Sequence, residues 1–154
     1  MIQKERAINK FMELVQIDSV SLNERKVADY LMNHFKALGY EVFEDKKSND
    51  AVPQANSGNV IVKIPGKGAL KDSDPIILEA HMDTVEPGNG VKPSISDDGK
   101  YVVSDGTTIL GADDKAGIAQ ILEVEAVLRE NDLDHVPLQL LFAISEEIGI
   151  LGAF

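Results

Sequence analysis

Cysteine is absent from this 154-residue chain, which excludes disulfides, thiolate metal sites and a thiol nucleophile. Long apolar runs are missing too. Nothing approaches the ~18 consecutive apolar residues of a helical membrane span. The opening Met1-Ile2-Gln3-Lys4-Glu5-Arg6 is charged and has no apolar core, so no secretory signal is visible and the cytoplasm is the expected location. Basic residues are scarce beside acidic ones, 15 against 26, for a net charge of −11. Such a chain is a poor partner for nucleic acid or anionic membranes, but it is rich in hard oxygen donors for divalent cations. There is no GxSxG elbow, and Gly66-Lys67-Gly68 lacks the spacing and the following Ser/Thr of a P-loop. What is present, 44% hydrophobic and 27% charged residues, suits one globular domain with its own core.

Hydrophobic spacing predicts a helix over residues 3–16, through Ala7, Ile8, Phe11, Met12, Leu14 and Val15. Ser21-Leu22-Asn23-Glu24 reads as a capping box, Ser21 at the N-cap and Glu24 at N3, opening a second helix that Gly39 stops. Strands are predicted at 40–43, 60–64 and 76–80. The last is nearly all apolar, as in the buried middle of a sheet. Residues 45–58 and 67–74 read as loops. Asp98-Gly99 marks a hairpin between residues 94–96 and 101–103. A largely buried helix follows over 114–130, with Glu123, Glu125 and Glu130 on its exposed side, and then an apolar strand over 138–144. Gly149 to Phe154 looks like the start of a further helix, so the chain is expected to be the N-terminal piece of a longer protein. The element order implies an α/β fold of three layers, helix/sheet/helix, around a mostly parallel mixed sheet, incomplete at its C-terminus.

Three acidic clusters sit where open α/β sheets place their sites, after strands or at a helix start. His81-Met82-Asp83 follows the strand at 76–80, and a carboxylate two residues from a histidine can fix the ring tautomer that a metal requires. Asp113-Asp114 opens the long helix between Gly111 and Gly117, so that one acid can cap the helix while the other points into a site. Glu146-Glu147 follows the strand at 138–144, where two buried carboxylates are costly unless neutralised. Singly, each has an ordinary reading as a turn, an N-cap or a surface bend. Together they supply His, Asp, Asp, Glu and Glu at one sheet mouth, a donor set suited to zinc, manganese or cobalt in a hydrolytic site. His34 and His135 read as solvated surface residues.

The stretches His81-Met82-Asp83-Thr84-Val85, Ser104 through Gly117, and Ser145-Glu146-Glu147-Ile148-Gly149 resemble the co-catalytic zinc metallopeptidases. That group holds peptidase T (tripeptide aminopeptidase), aminoacylase, glutamate carboxypeptidase and succinyl-diaminopimelate desuccinylase, and the wording from Asp105 to Gly117 is most like peptidase T. The resemblance implies a zinc-dependent exopeptidase fold and two Zn²⁺ ions in the complete enzyme, with Co²⁺ or Mn²⁺ as substitutes. It implies His81, Asp113 and Glu147 as metal ligands, Asp113 shared between the ions and joined to Asp114 by a cis peptide. Asp83 would orient His81, and Glu146 would act as general base in hydrolysing the N-terminal peptide bond of short peptides.

By the same resemblance, a further Asp ligand, a late His ligand and a lid or dimerisation domain lie outside these residues. The complete protein is then expected to be a homo-oligomer and the 154-residue chain alone inactive. Two alternatives stand beside this reading: another hydrolase of the same group, a deacylase or carboxypeptidase, and a non-catalytic module with weak divalent-ion binding.

Overall fold

A computed structural model describes residues 1–153. Helix α1 (Lys4–Val15) buries Leu14 and Val15. Helix α2 (Arg25–Ala37) buries Val27, Ala28, Leu31 and Phe35, a single stripe at helical spacing. The chain then turns at Gly39, whose φ of +83° is one that glycine adopts without cost. Strand β1 (Glu41–Asp45) runs directly into a short helix α3 (Lys46–Ala51), capped by the Asp45 carboxylate accepting from Lys47 N–H. A loop was expected there; the Asp45 cap is the local reason for a helix instead.

Strands β2 (Asn59–Ile64) and β3 (Ile76–His81) flank a 3₁₀ turn at Gly68–Leu70. The predicted hairpin is present as β4 (Ser94–Ile95) paired with β5 (Val102–Val103). Helix α4 (Ala112–Glu130) leads to β6 (Leu138–Ala143), and a second 3₁₀ turn occupies Leu151–Ala153 in place of the expected helix start. Phe154, the last residue of that expectation, lies outside the described residues.

The main sheet has the order β1-β2-β6-β3. The mixed α/β sheet is as expected, but its parallel share is smaller: β3 pairs parallel with β6, while β1–β2 and β2–β6 are antiparallel. The β3–α4–β6 crossover enforces the parallel pair. It sets His81 opposite Ala143, so the C-terminal ends of β3 and β6 finish side by side.

Helices α1, α2 and α4 share one core with Val60, Val62 and Ile64 of β2, Ala80 of β3, and Leu138, Leu140 and Phe142 of β6. Alternation turns Ile77, Glu79 and Leu141 to the other face, where Ile77 is 61% exposed. The three long helices therefore gather on one side of this sheet, where their apolar stripes also pack on one another. Strand β3 reads as a buried middle strand, and among the described residues it is the last of the four, with Ile76 and Ile77 exposed.

The capping box is also corrected. Glu24 sits at the N-cap of α2 without a side-chain cap bond, and the Ser21 hydroxyl is committed to Asp83.

Candidate metal centre

The site is built where β3 and β6 end beside the start of α4. His81 is the last residue of β3 and is buried. Its Nδ1 lies 2.9 Å from the main-chain carbonyl of Asp83 and 3.4 Å from the Asp83 carboxylate; its Nε2 lies 2.9 Å from Asp113 Oδ1. Both ring nitrogens thus face oxygen. Burial opposes a charged ring, but Asp83 and Asp113 outweigh it and push the imidazole pKa up to about 9. Nε2 thus faces a place that suits a cation, and a hydrogen bond from Nδ1 to the Asp83 carbonyl would fix the tautomer.

Asp83 is fully buried. Its Oδ2 accepts from Ser21 Oγ at 2.6 Å and from Glu147 N–H at 3.1 Å, and its Oδ1 accepts from Glu146 N–H at 2.9 Å. Burial would raise its pKa, but the donors from His81, Ser21, Glu146 and Glu147 hold it below the ordinary carboxylate value. One carboxylate therefore anchors the histidine and the backbone of both glutamates.

The two aspartates of α4 divide as the sequence suggested. Asp114 Oδ1 accepts from Gly117 N–H at 3.0 Å, and a Cβ at Gly117 would lie 2.4 Å from that oxygen. Asp113 is left outside the helical conformation (φ −89°, ψ 105°), joined to Asp114 by a cis peptide, with its side chain 86% exposed and directed at His81.

Glu146 and Glu147 follow β6 through Ser145, a non-glycine residue at φ +54°. Glu146 Oε2 lies 3.8 Å from His81 Nε2. One ligand atom from each of His81, Asp113 and Glu147 falls within 4.8 Å of the other two. Burial raises the Glu147 pKa, and the Asp113, Asp83 and Glu146 charges add to this against the pull of His81. One nitrogen and two carboxylate donors without thiolate suit zinc, manganese or cobalt, and such converging acids repel one another until a cation joins them.

Several neighbours escaped the sequence reading. Lys115 is 1% exposed. Its ammonium donates to Ser19 Oγ at 2.5 Å, and Ser19 Oγ donates to the carbonyl of Met82 at 2.8 Å. Burial lowers the Lys115 pKa to about 7 against the pull of Asp83, Glu24 and Asp18. Glu24 is fully buried and bonds Ser145. No spacing pattern signals these contacts, because their partners are distant in sequence.

Other expectations are corrected. Glu123 and Glu125 are buried, Glu123 paired with Arg6, and Glu125 accepting from Tyr40 and Arg129; Glu130 is exposed as expected. His34 is half-buried, its ring edge-on to Phe35 at 5.0 Å, and His135 is half-buried in a bridge with Lys67.

The model of peptidase family M28 matches residues 59–154, more than half of the chain. The chain belongs to peptidase family M28. This M28 chain is 41% identical to the protein YqjE of Bacillus subtilis over 153 residues, which is 99% of the chain and 39% of that protein. Aminopeptidase PepT of Bacillus cereus superposes with a TM-score of 0.90 at 47% identity, over 99% of the chain and 39% of that structure. A tripeptidase of Staphylococcus aureus gives a TM-score of 0.91 at 42% identity, again over 99% and 39%. These bear out the likeness to the peptidase T branch. The M28 chain spans about two fifths of the length of these relatives, 39% in each.

Proposed function

We propose that the chain is the N-terminal part of the catalytic unit of a metal-dependent aminopeptidase that removes the N-terminal residue of short peptides, tripeptides foremost. The observation that carries this reading is the convergence of His81, Asp113 and Glu147 within 4.8 Å, with Glu146 beside them. His81, Asp113 and Glu147 would hold the ions, Asp113 serving both, with zinc as the preferred metal. A divalent cation held there supplies Lewis-acid polarisation of an amide carbonyl and makes water more acidic. Glu146, the acid near His81 that the ligand set leaves free, takes the proton from the attacking water and returns it to the leaving amine. Asp83 keeps Nδ1 of His81 protonated and Nε2 turned inward, and it holds the backbone of both glutamates. The reading places the complete protein in the cytoplasm as a homo-oligomer.

Calorimetric titration of the metal-free 154-residue chain with zinc, followed by assay of the complete protein, tests this. Saturable zinc binding lost in His81→Ala is expected. For the complete protein, faster cleavage of tripeptides than of acyl-amino acids or peptides with a C-terminal glutamate is expected. Absence of zinc binding by the chain, together with inert complete protein, would defeat the reading. Preference for acyl-amino acids would replace the aminopeptidase with a deacylase.

A further inference from the structure

Residues Ser19 to Glu24, between α1 and α2, cross the ends of both strands that deliver the metal-centre acids. On the β3 side, Ser21 Oγ donates to Asp83, Thr84 N–H donates to the Ser19 carbonyl at 3.0 Å, and Ser21 N–H donates to the Thr84 carbonyl at 3.2 Å. On the β6 side the contact is Glu24. Its Oε1 accepts from Ser145 N–H at 3.0 Å, from Ser145 Oγ at 3.2 Å and from Leu22 N–H at 3.0 Å. The N–H groups of Ser145, Glu146 and Glu147, three in succession, each end on a buried carboxylate: Glu24 for the first, Asp83 for the other two.

Ser145 is buried at φ +54°, a backbone conformation that side-chain-bearing residues keep only when their surroundings impose it. Glu24 is 0% exposed, forms no side-chain cap on α2, and leaves its Oε2 without a hydrogen-bond partner among the described residues. Burying a carboxylate for nothing is costly, and helix capping does not account for it here. The contact it does make, across 121 positions of sequence, is the one that fixes the turn.

We propose that Glu24 is a positioning residue: through Ser145 it locks the turn that aims Glu146 and Glu147 at His81 and Asp113. The catalytic meaning of that aim rests on the function proposed above. The lock itself does not, and it can be read without metal.

The test compares Glu24→Leu, Glu24→Gln and, as a stability control, the core variant Leu31→Val of α2. Amide hydrogen exchange of the metal-free chain is followed residue by residue by NMR, and cobalt affinity by visible absorption. Glu24→Leu is expected to speed exchange at residues 145–147 by at least about tenfold over the rest of β6, and to weaken cobalt binding about 10- to 100-fold. Glu24→Gln keeps an acceptor for Ser145 and is expected to restore both readouts. Leu31→Val is expected to lower the melting temperature and leave both unchanged. Should Glu24→Leu not fold, Glu24→Asp withdraws the acceptor by one methylene and is expected to speed the same amides.

Unchanged exchange at residues 145–147 in the acceptor-removing variant would overturn the proposal, as would equal acceleration in Leu31→Val. If the wild-type chain binds no cobalt while the amides respond as expected, the lock stands, and the metal reading then falls only if the complete protein is inert as well.

Discussion

Asp83 takes donors from Ser21, Glu146 and Glu147 while flanking His81, so a single carboxylate sets the geometry of two strand ends. Asp83→Asn keeps the shape but turns one oxygen into an amide donor that faces the N–H of Glu146 or Glu147 it used to accept from. Its zinc affinity, measured by calorimetry, is expected to fall about 10- to 100-fold, the usual loss for a residue that orients a ligand. At this scale the sequence was informative where chemistry and neighbours coincide. His81 and Asp83 could be found because they follow an apolar strand directly, and Asp113 and Asp114 because two acids at a helix start have two different tasks. Glu24 and Ser21 could not. Their spacing matches a local capping box, and only the folded chain brings in the competing partners, Asp83 and Ser145, from far along the sequence.

Helix α4 shows what pattern reading captures at the level of an element and what it leaves out. Its extent and buried character were legible from apolar periodicity. The fate of Glu123 was not, because its partners Arg6 and Gln3 come from the other end of the chain. The Arg6 hydrogen bond, against burial, holds Glu123 below its ordinary value of 4.5. A depressed carboxylate stabilises the fold above its unfolded pKa, and that contribution fades as pH falls through the folded value. The stability deficit of Arg6→Ala against wild type is therefore expected to be full at neutral pH and to shrink below pH 4.5, as urea midpoints across a pH series would show.

Gly117 gives a second expectation. Alanine in a helix interior usually gains about 1 kcal/mol over glycine. Here its methyl would displace the Asp114 cap, which is worth about the same. Thermal melting of Gly117→Ala is expected to reveal no stabilisation.

For the molecule as a whole, the acidic balance of −11 and the gathered acids of the site point the same way: the fold is expected to gain by taking up cations. At a free zinc concentration about a hundredfold above the dissociation constant, linkage adds about 2.7 kcal/mol, which raises the melting temperature by about 5–10 °C for a domain of this size. Chelator should return the curve to its metal-free position, and His81→Ala should remove the response. The α/β class and the place of the site at the sheet mouth were legible from element order. The place of β3 among these four strands was not. An apolar strand such as β3 reads the same whether its far side meets a neighbour or, as Ile77 does, the solvent.

Asp113 stands 86% exposed at the rim while His81 lies sunk beneath it. In this chain an ion arriving from bulk would therefore meet a carboxylate ligand before it meets the protein interior.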